Sequence, residues 1–301
     1  MKNNHVHYIL IALIVVLSGC KKTHFLKQPR ILKLKKQNDQ EPKIVNIFLH
    51  GFKFISNYHF ENFGLQHISF AKKECNFIKF AKQLNRADNK EFNYDDFYLF
   101  GWSGSLSSTQ RYEASKHFYK QLKELIEVYK NTYGEKPFIR IMGHSHGGTV
   151  SLNLACLAKQ NNDNDLVIDE LVLLATPAQF STAHYTGSKI FKQVYSIYSN
   201  DVVPILAPQG RNDLKFKCDI PRCTCNCPTP LFSRRKFPHS HNLIQAKVKF
   251  NGRGISHTGF LRCKLPSALP GILHDLKQEC LLKQLPKKKG VYLLDIRSKI
   301  R

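Results

Sequence analysis

The sequence predicts an α/β fold with a mostly parallel central sheet and helices on both faces. Three observations predict it. From residue 43 onward, compact apolar runs of strand length alternate with stretches of helical periodicity. The runs are apolar throughout, as strands buried on both faces must be. One of them leads straight into a glycine-flanked turn and an apolar-faced helix, the arrangement in which parallel sheets place ligands at the carboxyl ends of their strands.

The elements follow in order. Ile44-Val45-Asn46-Ile47-Phe48-Leu49 reads as the first strand. Residues 69–85 set Phe70, Phe77, Ile78, Phe80 and Leu84 among lysines, a helical pattern. Phe97-Tyr98-Leu99-Phe100 is the second strand. Residues 109–131 carry Phe118, Leu122, Leu125, Ile126 and Tyr129 at spacings of three and four, an amphipathic helix. Pro137 opens the third strand, Phe138 to Met142. Residues 146–159 form the next helix, through Val150, Leu152, Leu154, Ala155 and Leu157. Leu171 to Leu174 and Val194 to Tyr198 are two more strands, and Leu243 to Phe250 reads as the last.

Composition bounds the function. Forty-six Lys and Arg against 22 Asp and Glu give a net charge of +24 over 301 residues, with 42% hydrophobic residues. That apolar share excludes a wholly disordered chain. No apolar run reaches the roughly 18 residues of a membrane span, which excludes a polytopic membrane protein. The excess charge suits an acidic neighbour such as anionic lipid or another polyanion.

Residues 1–20 read as an export signal. Lys2 is followed by an apolar run from Tyr8 to Leu17, too short for a permanent span, and then by Leu17-Ser18-Gly19-Cys20. That ending resembles the lipobox of bacterial lipoproteins. The resemblance implies a signal over 1–19, lipid on Cys20 and a lipid-anchored location in the bacterial cell envelope; Lys21 after the cysteine favours the outer membrane. Residues 20–42, rich in Lys, Gln and Asn, read as a basic tether, either attracted to acidic head groups or simply solvated.

The third strand runs into Gly143-His144-Ser145-His146-Gly147-Gly148, a G-x-S-x-G pentapeptide in strand–turn–helix context. A sharp turn lifts the serine hydroxyl clear of the sheet. Gly143 and Gly147 spare the turn the Cβ atoms that would clash, and the helix that follows aims its free N–H groups at developing negative charge. With Leu49-His50-Gly51-Phe52, Leu174-Ala175-Thr176-Pro177, Ser199-Asn200-Asp201-Val202-Val203-Pro204 and His257-Thr258-Gly259 in chain order, the chain resembles the lipase and esterase side of the α/β-hydrolase superfamily over about residues 43–283. No cofactor is implied.

A serine hydroxyl needs a base, and histidine suits near neutral pH. Among 14 histidines, His257 follows the last strand and fits the superfamily order of Ser, acid, His; His241 is the next candidate, and His239 lies in a polar stretch. His144 and His146 flank the nucleophile but point away from it, His146 lining the pocket. The acid must hold the imidazole, and Asp201 follows a strand at its carboxyl end. Asp169 and Glu170 precede a strand, at the wrong edge, and Asp219 is the backup. Two preplaced N–H donors must receive the oxyanion, for which the backbones of His146 and Phe52 are the candidates.

Beyond Cys20 there are eight cysteines: Cys75, Cys156, Cys218, Cys223, Cys225, Cys227, Cys263 and Cys280. Cys156, on a helical apolar face, reads as a buried thiol. Cys218, Cys223, Cys225 and Cys227 suit disulfides to distant partners in an exported protein. Zinc and free thiols are the alternatives, and no C-x₂-C pair favours zinc. They lie in an insertion over 205–240, a candidate lid or a stapled surface loop. Arg234-Arg235-Lys236 and Lys287-Lys288-Lys289 lack the aromatic platform that nucleic-acid binding needs, so anionic membrane is the better partner, with plain solubility as the equal alternative; residues 284–301 read as a basic tail. The expectation is a membrane-anchored serine hydrolase acting on acyl or lipid esters through Ser145, His257 and Asp201. An inactive hydrolase fold that binds anionic lipid, polyanion or a protein is the rival reading. Thioesterase and acyltransferase chemistry would use the same three groups.

Overall fold

A computed structural model describes residues 25–32, 34, 43–51, 63–71, 76–199, 215–216, 229–230, 235–262, 265–278, 287–288 and 290–296. The strands are β1 (Ile44–Leu49), β2 (Gly64–His67), β3 (Phe97–Gly101), β4 (Phe138–His144), β5 (Ile168–Leu174), β6 (Phe191–Tyr198), β7 (Lys215–Phe216), β8 (Thr229–Pro230), β9 (Leu243–Phe250), β10 (Arg253–Gly254), β11 (Lys287–Lys288) and β12 (Val291–Ile296). The helices are α1 (Asn76–Ala87), α2 (Ser108–Tyr133), α3 (His146–Gln160), α4 (Phe180–Ala183) and α5 (Leu265–Lys277).

The central sheet runs β11-β12-β9-β6-β5-β4-β1-β3-β2, with β10 paired to β9. The seven strands from β3 to β12 are parallel, and β2, β10 and β11 attach antiparallel. This is the expected α/β architecture. From β1 the chain moves outward to β3, then crosses back to β4 on the other side. The carboxyl ends of β1 and β4 therefore flank a topological switch point, where open α/β sheets leave a crevice.

Side-chain alternation splits the core in two. Val45, Ile47 and Leu49 of β1 pack with Ile139 and Ile141 of β4 under α2 and α3. Phe48, Met142, Val172 and Leu174 face the other way, under α1 and α5. The polar positions on that second face sit at the amino ends of the strands. Arg140, fully buried, donates to Glu170, to Glu91 and to Asn46 Oδ1 (3.2 Å), while Lys277 Nζ lies 2.8 Å from Glu170 Oε1. Asp169 accepts from the Ile139 N–H at 2.8 Å. Asp169 and Glu170 thus begin β5 rather than precede it, and they occupy the rim opposite the candidate site.

The structure adds four features to the sequence reading. The helix expected over 69–85 is a 3₁₀ turn at Ile68–Phe70 and, later, α1. β9 is not the last strand: Val291–Ile296, within the expected basic tail, pairs parallel with it as β12. α5 follows the loop of His257 although it contains Pro266 and Pro270. Part of the expected tether belongs to the folded body: residues 25–30 run parallel beside β2, through Phe25 with Phe63 and Arg30 with Gln66.

Replacing Arg140 with Met strips the buried Glu170 of its main partner. Urea unfolding should show a loss of about 1.5–3 kcal/mol, since Lys277 still neutralises Glu170. The carboxyl rim of the sheet should keep its geometry, because Arg140 lies at the far rim.

Candidate active site

The site is built around a strained turn. Ser145, between β4 and α3, has φ 54° and ψ −128°, a conformation that costs on the order of 1–3 kcal/mol for a residue with a side chain. Its hydroxyl makes no capping bond to α3, although it occupies the cap position. Its N–H donates to Leu174 O at 2.9 Å, and the Gly148 N–H donates to Ser145 O at 3.1 Å. Thr176 Oγ1, just past β5, donates to Gly143 O at 3.1 Å. The turn is therefore held from both flanks.

Both expected glycines are needed for close approach. A Cβ on Gly143 would lie 2.5 Å from Gly148 Cα, and one on Gly147 would lie 2.4 Å from Leu49 O and 2.6 Å from His50 O. Gly51 faces the nucleophile itself: a Cβ there would fall 2.5 Å from Ser145 Cβ and 3.1 Å from Ser145 Oγ. The end of β1 thus presses its bare backbone against the serine. His50 holds that segment. The Trp102 N–H donates to His50 Nε2 at 3.2 Å, so the proton sits on Nδ1, which donates to Gly51 O at 2.8 Å. Trp102 also stacks on the His50 ring and donates from Nε1 to His50 O at 2.8 Å.

The loop after β9 reaches the same place. His144, the residue before the serine, donates from Nε2 to the carbonyl of His257 at 3.0 Å, and the two rings lie 4.7 Å apart. A sequence separation of 113 residues is thereby closed at the elbow. His257 is half-buried. Burial, and then the neighbouring His257 and Arg235, push His144 well below the ordinary histidine range, against the opposing backbone hydrogen bond. Burial, and then Arg111, Arg235, His257 and His144, do the same to His146. Both flanking rings are neutral. His241 and His239 are exposed and stand before the amino end of β9, at the opposite rim.

Two arginines join the site unannounced by the sequence reading. Arg235, from the basic run Arg234-Arg235-Lys236, donates from Nη1 to Ala175 O at 2.6 Å and sets Nη2 3.4 Å from His257 Nδ1. Arg111, on the first turn of α2, is buried and donates to Leu106 O and, at 3.3 Å, to Gln179 Oε1. Burial lowers its guanidinium to about 10. Nothing in the sequence marked Arg111. Arg235 was visible only as one of three adjacent cations.

Asp201, Phe52, Asp219 and Cys20 lie outside the described residues, as do Cys75, Cys218, Cys223, Cys225, Cys227, Cys263 and Cys280. Most of the expected insertion does too. Its far end is part of the core: Phe237 is buried, and its N–H donates to Gln245 Oε1 at 2.8 Å. Cys156 is a free thiol, half-buried rather than buried. Among the described residues no cluster of three or more His, Cys, Asp or Glu side chains is placed to hold a metal ion.

Solved structures similar to the chain include a predicted CIB-like hydrolase from Thermoplasma acidophilum (20% identity, 56% of this chain and 69% of that one, TM-score 0.28). Others are a lidless α/β serine hydrolase from Xanthomonas campestris (8%, 86% and 75%, TM-score 0.29) and an esterase from Pyrobaculum calidifontis (13%, 99% and 84%, TM-score 0.31). Superpositions this loose fix no residue's role. No curated protein sequence matches the chain. The family described as lipase (class 3) matches residues 32–210, more than half of the length and inclusive of the whole elbow. With that match the chain belongs to the class 3 lipase family and is a carboxylic ester hydrolase.

Proposed function

We propose that the chain is a membrane-anchored serine hydrolase that cleaves acyl esters of lipids through an acyl-enzyme, with Ser145 as nucleophile, His257 as base and Asp201 as supporting acid. The observation that carries the reading is the uncapped hydroxyl of Ser145 on its strained turn, joined to the His257 loop by the bond from His144. Ser145 Oγ attacks the ester carbonyl as His257 takes its proton. The oxyanion that forms is received by the backbone N–H of His146, at the start of α3, and by that of Phe52. Collapse expels the alcohol, which takes the proton from His257. Water then enters by the same base and releases the acid.

The surroundings suit this chemistry. His144 and His146 stay neutral, so neither competes with His257 for the proton or repels its charged form. The Arg235 guanidinium, with Nη2 3.4 Å from His257 Nδ1, puts a positive charge beside the base, where an acid partner is needed. Lipid on Cys20 supplies the anchor; its support is the run of residues 8–20.

Ser145→Ala should lower p-nitrophenyl ester turnover by roughly 10⁴- to 10⁶-fold and abolish labelling by a fluorophosphonate probe, with the urea midpoint preserved. Turnover retained in that variant would overturn the assignment. Gly51→Ala should cost roughly 100-fold in kcat, because its methyl group displaces the serine. The two neutral histidines also set an acid limit on stability. Each has a folded pKa below the ordinary 6.5, so the unfolded chain binds protons first. Stability is complete above about pH 6.5 and falls below it, by at most about 1.4 kcal/mol per pH unit for each histidine. Urea midpoints recorded from about pH 7 down to about pH 5 should show the fall, and His146→Asn should make it shallower.

A further inference from the structure

The stretch after Cys20 reads in sequence as a tether of more than 20 residues, long enough to let the domain roam. The structure shortens it. The Leu26 N–H donates to Phe63 O at 2.8 Å and the Arg30 N–H to Leu65 O at 2.9 Å, while the His67 N–H donates back to Arg30 O at 2.8 Å. Gln121 Nε2 of α2 holds Leu26 O at 2.6 Å. The Phe25 ring lies flat on His117, with centroids 4.0 Å apart and planes 8° from parallel, and touches Phe63 and Phe100 at 5.7 and 6.2 Å. The chain is fixed to the domain over residues 25–30.

Polarity decides where the fixed point lies. β2 is antiparallel to β3 and pairs Gly64 with Gly101, so β2 begins at the carboxyl rim of the parallel strands. Residues 25–30 run parallel to β2, so Phe25 stands at that rim and Arg30 lies away from it. Ser145 stands at the same rim, four strand positions away through β2, β3, β1 and β4. At the usual strand spacing this is about 19 Å. From Cys20 to Phe25 there are five residue steps, which reach at most about 18 Å fully extended.

We propose that residues 25–30 turn the N-terminal anchor into a short leash that holds the carboxyl rim, and Ser145 with it, against the bilayer carrying the anchor, so that the substrates are acyl esters of lipids in that same leaflet. The inference rests on the lipid-anchor reading above. Lys21 and Lys22 in the leash and the exposed Lys27 beside Phe25 give this edge the charge that anionic head groups attract. Access by lateral diffusion within the leaflet makes release of the domain unnecessary.

The test uses the full lipidated chain in phosphatidylcholine vesicles containing phosphatidylglycerol and a head-group rhodamine acceptor. A donor dye is placed through an azide-bearing amino acid at Glu113 or at Asn131, both exposed on α2 and about 27 Å apart along it. Energy transfer should be strong from Glu113, toward the Phe25 end, and weak from Asn131. Inserting 20 Gly/Ser residues after Lys22 should equalise the two and cut hydrolysis of vesicle lipid roughly tenfold, as effective concentration falls with leash length. Turnover of soluble p-nitrophenyl butyrate should not change. Equal transfer without the insertion, or lipid hydrolysis indifferent to it, overturns the inference alone. An intact mass without lipid on Cys20 overturns the anchor reading, and this inference falls with it.

Discussion

Everything at the active rim depends on the backbone crossing at Ser145. The end of β1 and the start of α3 approach so closely that no side chain fits between them at Gly51 or Gly147. The serine sits at positive φ within the same crowded crossing. The cost is offset where the turn is fastened to β5, through the Leu174 carbonyl and the Thr176 hydroxyl. A hydroxyl held by three neighbouring strands can neither retreat into the sheet nor relax into an ordinary helix cap. The chemistry proposed for it is a consequence of packing before it is a consequence of acid–base balance.

Acid–base balance is then set by burial. The histidines on either side of Ser145 are deprived of water and surrounded by other basic groups, which keeps them uncharged. His257, half-buried and between the His144 ring and the Arg235 guanidinium, is the one of the three with access to solvent. One histidine type thus takes two roles by position: His144 as a fixed donor that fastens a loop, and His257 as the candidate proton carrier on that loop.

The sequence revealed those parts of the fold whose signal is local. β1, β3, β4 and α3 announce themselves by apolar runs and by the glycine-flanked serine, and the carboxyl-end rule selected His257 over His241. What it concealed has physical reasons. β2 is four residues long and contains glycine, glutamine and histidine, so no alternation is visible. α5 has Pro270 in its interior, which ordinarily argues against a helix. β12 follows a lysine run, and its outer positions carry Leu293 and Asp295 beside β9, which blurs its pattern. Arg235 and Arg111 act through tertiary contacts with Ala175 and Gln179, which no spacing encodes. Residues 25–30 resembled linker because they lean on the domain through main-chain bonds more than through apolar side chains.

That docked ribbon also bears on how the protein can be handled. β2 is the outermost strand on its side of the sheet, and residues 25–30 occupy hydrogen-bonding groups that would otherwise face water. Trimming the chain at residue 43, where the apolar pattern begins, would bare a strand edge ready to pair with another molecule and invite aggregation. A soluble version should therefore keep Phe25 and begin just upstream of it.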